Sequence, residues 1–522
     1  HTQTLMATLS AELRLPYVKK NQFPKSGLPV EGLPISDTFL REKVILPLQL
    51  KDDTLVVAVF DPFDQYTIED LKVSLGKNIR VVLSSEQDIL ESIEALYGEG
   101  GSSAMDRMVG DINDEDLHGL DSMEESTEHI RDMASEAPVI KLVNHIISEA
   151  IESRASDIHL EPFDDDLFLR YRIDGILHEF DSPPKRLSAA ITTRIKIMAK
   201  MDISERRLPQ DGRIKLKILG KDIDMRVSTL PTLYGESVVM RILDRGSLEL
   251  DLSQMGFPEK ILEQLSELIR KPYGKMLVTG PTGSGKTTTL YAALSQINTP
   301  DKKIITIEDP VEYQMRGINQ IHVKSQIGLD FAGGLRSIVR QDPDVIMVGE
   351  IRDPETADIS IQAALTGHLV FSTVHTNDAA GAITRLLDMG IENFLISSAL
   401  LGVLAQRLVR VICPDCKVET SLTPILRKEM GQLGQEGFKV YRGKGCKACS
   451  NTGFRGRCGI YELLVIDDNI RELVLKKSTA QIICDQARKT GMRTLREDGW
   501  DKVIKGITTV EEILRVTLND RN

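Results

Sequence analysis

The pattern of hydrophobic and polar residues predicts α/β structure along most of the chain. Near the N-terminus, apolar runs at 54–60 and 79–83 are typical of strands. Ser85 is a suitable N-cap for a helix that continues to Tyr97. Residues 1–97 are therefore interpreted as a small N-terminal α/β domain.

A second region resumes this pattern at residue 137. Residues 167–173 alternate between apolar and polar side chains, as in a half-buried strand whose polar face carries Arg170 and Arg172. The other expected elements are helices at 139–151 and 187–201 and strands at 222–230 and 237–243. We interpret 137–245 as a second α/β domain.

The intervening residues, 98–136, differ in composition. From Asp106 to Glu136 there are eleven acidic residues and two arginines, and a Gly/Ser-rich stretch precedes them. So little apolar surface cannot offset the entropy of ordering the chain, so the sequence predicts a flexible acidic linker.

The remaining residues, 246–522, contain alternating strands and helices that predict a mostly parallel sheet. Within them, residues 280–287 read GPTGSGKT and fit the phosphate-binding loop G-x-x-x-x-G-K-[ST]. A short apolar strand at 276–279 precedes the loop and a helix is expected at 288–297, which is the context that this motif requires.

The loop predicts a nucleotide triphosphate ligand. Its glycines let consecutive N–H groups approach a phosphate chain. Lys286 is expected to reach the β- and γ-phosphates, and the Thr287 hydroxyl to bind Mg²⁺. The expected nucleotide-binding residues are Gly280, Pro281, Thr282, Gly283, Ser284, Gly285, Lys286, Thr287 and Thr288.

Carboxylates follow two further predicted strands, at 304–307 and 345–348. Ligands collect outside the carboxyl ends of parallel strands, where such groups can hold Mg²⁺ or polarise water. Glu350 is the expected water-activating carboxylate, and the others are expected to tune the metal and its water shell. Those others are Glu308, Asp309 and Glu312. Each can equally be an ordinary turn residue.

Histidines and arginines supply the remaining candidates. His368 and His375 flank the predicted strand at 369–374, and His375 is expected to sense the γ-phosphate. Phosphoryl transfer needs cations near the γ-oxygens, although any one arginine can instead form a surface ion pair. The candidates are Arg336, Arg340 and Arg352 in the nucleotide domain and Arg213 and Arg226 in the preceding domain.

Four of the six cysteines form two C-x-x-C pairs, namely Cys413 with Cys416 and Cys446 with Cys449. Four thiolates favour tetrahedral Zn²⁺, and such a site is structural because it leaves no open position. The 29 residues between the pairs exceed a common spacing but can close as a subdomain with a loop. A disulfide framework is less favoured, so a reducing compartment is expected.

Composition narrows the function further. The chain of 522 residues is 41% hydrophobic and 27% charged and carries a net charge of −12, which argues against a broad nucleic-acid-binding surface. The sequence contains no apolar run long enough for a membrane span, so any membrane role is expected to be peripheral.

These motifs resemble those of the type II secretion and type IV pilus motor ATPases. The loop at 280–287, IEDPVEY at 307–313, VGEIRD at 348–353 and the stretch 365–377 are similar to that family's Walker A, Asp-box, Walker B and His-box motifs. SDIH at 156–159 and RLPQDGR at 207–213 are similar to its second-domain signatures. LGVLAQRLVR at 401–410 with the cysteines most resembles the E-component branch of type II secretion.

The resemblance implies a RecA-like P-loop ATPase domain at 246–522, with a zinc subdomain at 410–460 and C-terminal helices, preceded by a PAS-like domain at 137–245. It also implies a homo-hexamer that hydrolyses ATP with Mg²⁺ in the cytoplasm, peripheral to the inner membrane. The N-terminal domain would dock onto the cytoplasmic part of a platform protein. The arginine- and glycine-containing repeats with which some members bind cyclic di-GMP are not found intact.

Two alternatives remain open from the sequence. A type IV pilus assembly ATPase would carry the same residue chemistry. A nucleic-acid-directed motor could use the basic loop at 443–457, with Lys444, Lys447, Arg455 and Arg457, although that loop could equally approach anionic lipid.

Overall fold

The structure is a computed structural model with three folded units. It describes residues 15–18, 23, 40, 43–51, 54–62, 64, 67, 68, 71, 72, 77–97, 131, 134, 137–218, 221–244, 251–423, 426, 427, 430 and 439–517. The predicted acidic linker at 98–136 lies outside the described residues, apart from Arg131 and Ala134.

The described part of the N-terminal unit includes a three-stranded sheet and a helix that follows it. The strands are β1 (Ile45–Lys51), β2 (Thr54–Val59) and β3 (Asn78–Leu83), and the helix is α1 (Glu86–Tyr97). Strand β2 pairs antiparallel with β1 and parallel with β3. The Ser85 hydroxyl accepts a hydrogen bond from the N–H of Asp88 at 3.1 Å, so the predicted N-cap is confirmed.

The second unit packs two helices against one face of a six-stranded sheet. The helices are α2 (Ala137–Glu152) and α3 (Ser188–Ala199). The strands are β4 (Ala155–Pro162), β5 (Leu167–Ile173), β6 (Ile176–Phe180), β7 (Gln210–Ile218), β8 (Lys221–Thr232) and β9 (Gly235–Asp244). They lie in the order β6-β5-β4-β9-β8-β7 and are antiparallel. Strand β5 alternates as predicted, because Leu169 and Tyr171 enter the core while Arg170 and Arg172 do not.

The third unit is built on a seven-stranded sheet. Its strands are β10 (Gly274–Thr279), β11 (Ile304–Glu308), β12 (Ile318–His322), β13 (Val345–Val348), β14 (Leu369–Val374), β15 (Leu400–Ile412) and β18 (Phe454–Val465). They lie in the order β12-β11-β13-β14-β10-β15-β18, and every pairing is parallel except that of β15 with β18. The predicted mostly parallel sheet is confirmed. The C-terminal ends of its parallel strands lie along the same side of the sheet, which is called the carboxyl edge, and their N-terminal ends lie along the opposite, amino edge.

Helices cover both faces of this sheet. They are α4 (Glu259–Leu268), α5 (Lys286–Ile297), α6 (Phe331–Val339), α7 (Pro354–Leu365), α8 (Ala379–Asp388), α9 (Asn393–Ala399), α10 (Asp468–Leu475), α11 (Ala480–Lys489), α12 (Leu495–Ile504) and α13 (Val510–Thr517). All residues of β10, β11, β13 and β14 are buried, as expected of parallel strands covered on both faces. This burial holds the strand ends, and therefore the polar residues that follow them, in fixed positions.

Strands β15 and β18 extend beyond the other strands as a two-stranded ribbon. Arg410 pairs with Arg457 and Ile412 with Phe454, and Cys413 follows immediately. A small sheet of β16 (Lys417–Thr420) and β17 (Val440–Gly443) completes this subdomain. In the described part of the chain, no helix is long and apolar enough to cross a membrane.

Candidate nucleotide site and cysteine cluster

The phosphate loop joins the buried strand β10 to helix α5 at the carboxyl edge of the sheet. Its glycines adopt backbone conformations that other residues rarely take, with φ of +151° at Gly280, +77° at Gly283 and +88° at Gly285. A Cβ atom on Gly280 would lie 2.5 Å from the Ser284 hydroxyl and 2.6 Å from the carbonyl oxygen of Gln406. A side chain at residue 280 would therefore break the loop.

The loop is open where a phosphate chain would bind. Thr282, Gly283 and Thr287 are exposed, and the N-terminus of α5 begins at Lys286. The free N–H groups and dipole of such a helix end favour an anion. All nine residues predicted to bind nucleotide thus lie on one loop and the first turn of one helix.

Lys286 folds back onto this loop. Its Nζ donates to the carbonyl oxygens of Gly280 at 2.7 Å and Pro281 at 3.1 Å. Burial lowers the pKa of Lys286 to about 8, with the Glu350 carboxylate opposing the shift and Arg407 adding to it. The two loop carbonyls thus hold the ammonium group next to the space where a phosphate would lie.

Glu350 is held at the end of β13 by backbone hydrogen bonds on both sides. The N–H of Gly349 donates to the carbonyl oxygen of Ile307 at 2.8 Å, and the N–H of Ile351 donates to the carbonyl oxygen of Thr373 at 2.9 Å. The carboxylate lies 2.6 Å from Nη2 of Arg352 and 3.6 Å from Nε2 of His375. The structure therefore brings together three of the predicted site residues.

The groups around His375 shift the pKa of its imidazole. Its pKa is lowered, first by burial and then by the charge of Lys286, while Glu350 acts in the opposite direction. Thr279, which precedes the phosphate loop, pairs with Val374, and its hydroxyl accepts from the N–H of Thr376 at 2.9 Å, so the loop and the end of β14 belong to the same site. With its pKa lowered, the imidazole is neutral near pH 7 and can donate one hydrogen bond to a phosphate oxygen.

The acidic stretch at 308–312 divides into three environments. Glu308 is buried and accepts hydrogen bonds from Tyr291 at 2.5 Å and Thr306 at 2.6 Å. Asp309 is exposed and contributes to raising the pKa of Arg352, after the hydrogen bond and charge of Glu350. Glu312 is half-buried and faces the second domain.

The candidate arginines are distributed around the site. Arg226 of β8 donates to the carbonyl oxygen of Val311 at 3.1 Å and lies 3.3 Å from the Glu312 carboxylate, so it joins the second domain to the acidic stretch. Arg213 pairs with Asp224 inside its own domain.

Arg336 and Arg340 lie on the surface of the third unit. The guanidinium of Arg336 pairs with Glu355, and both side chains are about half exposed. Arg340 donates to the carbonyl oxygen of Arg336 at 2.7 Å. Both arginines thus contact residues of α6 and α7 and not the phosphate loop of the same chain.

His368 lies at the opposite edge of the sheet. It precedes β14, and its carbonyl oxygen accepts a hydrogen bond at 3.1 Å from the N–H of Gly274, the first residue of β10. Its Nδ1 lies 2.9 Å from the carbonyl oxygen of Ala363. Within one chain the length of strand β14 therefore separates His368 from His375 and from the phosphate loop.

Sequence reasoning missed two residues of the site, Gln406 and Arg407 of β15. Gln406 is hydrogen-bonded to the phosphate loop, and Arg407 to the segment after His375. Both lie within LGVLAQRLVR at 401–410, the stretch that resembles the E-component branch of type II secretion. A polar pair inside an apolar strand was the signal that could have singled them out.

The four predicted cysteines converge at the end of the β15–β18 ribbon. Their sulfur atoms all lie within 4.8 Å of one another. Three separations are 3.8 Å for Cys413 to Cys446, 3.9 Å for Cys416 to Cys449 and 3.7 Å for Cys446 to Cys449. In a tetrahedral site with zinc–sulfur bonds of about 2.3 Å, sulfur atoms lie about 3.8 Å apart. The four thiols therefore fit a single metal ion.

Backbone N–H groups around Cys449 favour its thiolate. The N–H groups of Cys446 and Gly453 each lie 3.3 Å from its sulfur. Burial alone would raise the pKa of Cys449, but these donors and the neighbouring thiols lower it to about 7. Burial instead raises the pKa of Cys416 and of Cys446, so the cluster favours a thiolate at Cys449, and a bound cation would have to stabilise the others, because metal ligands must be deprotonated.

A strand, a glycine loop ending in Lys-Thr, a helix and a carboxylate on a nearby strand define a P-loop nucleotide-binding protein. Residues 132–515 match the model of a family described as type II/IV secretion system protein, and the chain belongs to this family. A second model, the MshEN domain, matches residues 13–103.

Two curated relatives match nearly the whole chain. The type II secretion system protein E of Xanthomonas campestris pv. campestris is 51% identical over 98% of this chain and 90% of that protein. The type IV pilus assembly ATPase PilB of Myxococcus xanthus is 48% identical over 92% of this chain and 85% of that protein. Relatives from both the type II secretion branch and the type IV pilus branch therefore match this chain.

Among solved structures, the chain is similar to the ATPase DotB of Legionella pneumophila. The TM-score is 0.54 with 21% identity, over 73% of this chain and 96% of that one. At this identity the likeness shows the fold, and the predicted P-loop ATPase architecture is confirmed.

Proposed function

We propose that this chain is the ATPase that powers a type II secretion apparatus, using ATP hydrolysis to drive pseudopilus assembly and protein export. The family match, the relative named type II secretion system protein E and the fold support this function. The relative named PilB keeps a type IV pilus assembly ATPase as the second candidate. Complementation of strains lacking either motor distinguishes the two.

One observation carries the hydrolytic part of the proposal. The Glu350 carboxylate lies beside His375 at the carboxyl edge, and its charge acts on Lys286 of the phosphate loop. Glu350 would accept a proton from the attacking water, Lys286 would hold the β- and γ-phosphates, and His375 would bind a γ-oxygen.

The exposed Thr287 hydroxyl at the start of α5 would hold Mg²⁺, which neutralises charge on the phosphates when it binds with the nucleotide. Asp309 and Glu312 would order the water around the metal. Glu308, which is buried, would act by fixing the position of these two residues.

Turnover by Lys286→Ala and Glu350→Ala tests this proposal. We expect each variant to lose activity, by about 10²–10⁴ for Glu350 because a general base contributes that much. Near-wild-type rates in both variants would refute the function. A Gln362→Ala variant, altered on the exposed surface of α7, is the matched control for expression and folding.

The proposed active assembly is a homo-hexamer. Arg213 and Arg336 leave about half of each side chain exposed after their own ion pairs, and Arg340 is close to Arg336. In a ring these arginines and Arg226 would reach the γ-phosphate site of their own or a neighbouring copy, where an arginine contributes about 10³–10⁵ in rate. Light scattering with and without a non-hydrolysable ATP analogue measures the assembly state.

We propose that Cys413, Cys416, Cys446 and Cys449 hold a structural Zn²⁺. The sulfur separations support this, and four thiolates would leave the ion no open position for catalysis. Metal analysis should give about one zinc per chain and much less in a Cys446→Ser/Cys449→Ser double variant. Unchanged zinc content in that variant would contradict the assignment.

The proposed location is the cytoplasm, beside the inner membrane, with residues 1–97 docking onto the cytoplasmic part of a platform protein. The basic loop at 443–457 is the candidate contact with anionic lipid. Two of its arginines have acidic partners in this chain, because Arg455 lies 3.3 Å from Asp415 and Arg457 lies 3.8 Å from Asp174. These ion pairs reduce the net basic charge of the loop, which weakens a contact with lipid and weakens the alternative of a nucleic-acid-directed motor as well.

A further inference from the structure

Strand β15 passes directly beside the phosphate loop. In its parallel pairing with β10, Ala405 is opposite Thr279, the last residue before the loop. The next two residues, Gln406 and Arg407, therefore lie level with the loop itself. Both side chains are buried, with exposures of 1% and 6%. A buried amide and a buried guanidinium need polar partners, and these partners define the inference.

The Gln406 side chain bridges the loop and helix α5. Its Nε2 donates to the carbonyl oxygen of Ser284 at 2.7 Å, and its Oε1 accepts from the Thr289 hydroxyl at 2.8 Å. The opposite orientation of the amide would place two carbonyl oxygens against each other, so the partners fix its orientation. Gln406 thus joins the end of the loop to the second turn of the helix.

Contact with the loop backbone is close on this side. A Cβ atom on Gly285 would lie 3.1 Å from Nε2 of Gln406, and one on Gly280 would lie 2.6 Å from the carbonyl oxygen of Gln406. Glycine at these two positions therefore allows β15 to support the loop along its length.

Arg407 makes the corresponding contact with the segment after β14. Its Nη2 donates to the carbonyl oxygen of Asn377 at 2.6 Å, two residues after His375. Its Nη1 donates to the carbonyl oxygen of Gln406 at 3.1 Å. The N–H of Thr376 donates to the Thr279 hydroxyl at 2.9 Å, which ties the same segment to the end of β10.

We propose that Gln406 and Arg407 are positioning residues for hydrolysis. Gln406 fixes the position of the phosphate loop, and Arg407 fixes the position of the segment that contains His375 and Asn377, both from strand β15. This inference rests on the proposed function. In this proposal neither side chain contacts the nucleotide. A displacement of about 1 Å in a reacting group can cost about 10²-fold in rate, so loss of either hydrogen-bond set should lower turnover strongly.

The test uses the full-length chain and two readouts. They are the dissociation constant of a fluorescent ADP, measured in the presence of Mg²⁺, and the turnover of ATP. Gln406→Leu keeps the volume and removes both hydrogen bonds. We expect the ADP dissociation constant to rise about tenfold and kcat to fall about 10²-fold. Gln362→Leu, the same change on the exposed surface of α7, should leave both quantities within about twofold.

A merely structural role predicts a different result. Partial unfolding removes active molecules and lowers the apparent kcat, but it leaves the ADP affinity of the folded fraction unchanged. Turnover loss without a change in ADP affinity, or both quantities within about twofold of wild type, would overturn the proposal for Gln406.

Thr289 provides a second route if Gln406→Leu does not fold. Thr289→Val is nearly isosteric and removes the hydroxyl that Gln406 accepts from, whereas Thr289→Ser retains it. We expect reduced ADP affinity and turnover in the valine variant and recovery in the serine variant. Equal behaviour of the two variants would overturn the positioning role of Gln406.

Arg407 is tested by Arg407→Lys and Arg407→Met. Neither can donate to the two carbonyl oxygens in the same fork geometry, so both should lower kcat about tenfold or more with a smaller change in ADP affinity. Unchanged kcat in Arg407→Met would overturn its role. If wild type itself lacked turnover, the proposed function would fail, while the ADP measurements would still decide the role of Gln406.

Discussion

The two edges of the seven-stranded sheet contain similar side chains but use them differently. At the carboxyl edge, Lys286 and His375 share a site with Glu350, whose charge acts to raise the pKa of both. Toward the amino edge, Lys275 donates to the Ser360 hydroxyl at 2.5 Å, and His368 contacts the carbonyl oxygen of Ala363. Lysine and histidine occur at both places, yet a carboxylate and a glycine loop meet them at only one.

Burial alone therefore does not make a lysine functional. Burial lowers the pKa of Lys275 to about 7 and that of Lys286 to about 8. The difference is in the neighbours, because Lys286 faces an acidic residue and an open phosphate loop, whereas Lys275 is enclosed between β10 and α7. A shifted pKa marks a functional residue only when partner groups and an opening accompany it.

The largest expected contrast comes from the same substitution at both lysines. Lys286→Met should lower ATP turnover by at least about 10² because the phosphate contact is lost. Lys275→Met should leave ADP affinity unchanged and raise the free energy of unfolding at pH 6 by about 1–3 kcal/mol, since a buried charge is removed. Turnover assays and urea unfolding measure the two effects.

The sign of the Lys275 effect depends on pH. The folded-state pKa is lower than that of the unfolded chain, so wild type gains stability as pH rises from about 7 toward 10. The advantage of Lys275→Met should therefore shrink over that range. A constant advantage from pH 6 to pH 9 would contradict a titrating Lys275.

The second contrast concerns the two histidines. His375→Ala should lower turnover about tenfold to hundredfold, because a hydrogen bond to a charged group contributes about 1.5–3 kcal/mol. His368→Ala should leave the ADP affinity of the chain within about twofold, since strand β14 separates it from the loop. Equal losses of ADP affinity in both variants would show that the edges are not independent.

The smallest expected effect is the pH dependence of nucleotide binding. Lys286 is charged below its pKa of about 8, and phosphates prefer the charged form. ADP affinity should therefore weaken about fivefold to tenfold between pH 7 and pH 9. Lys286→Arg keeps its charge over this range, so titrations of this variant should show no such change.

Local sequence patterns predicted much of the fold. The alternation at 167–173 and the apolar run at 276–279 matched β5 and most of β10, because burial on one or both faces leaves a direct imprint on composition. The phosphate loop was equally readable, since glycine and Lys-Thr spacing is set by the backbone itself. The cysteine pairs were found for the same local reason.

Residues whose partners are distant in sequence were harder to assign. His368 and His375 flank the predicted strand at 369–374, so their order already placed them at opposite ends of it. Only the pairing of β14 with β10 and β13 showed that His375 lies level with the phosphate loop and with the end of β13. Arg226 and Arg213 lie opposite each other on neighbouring strands, but Arg226 alone reaches Val311 in the next domain. Gln406 is 122 residues from the loop oxygen to which it donates.

By itself, the sequence determined the α/β class, the phosphate loop, the acidic residues that follow strands and the two C-x-x-C pairs. Each of these depends on spacing along a few neighbouring residues. Only the tertiary structure decided which polar groups share a site. Parallel pairing placed Glu350 and His375 beside Lys286 and carried Gln406 to the loop, while the same pairing kept His368 at the far edge. Long-range strand order, set by the burial of whole strands, determines these distances.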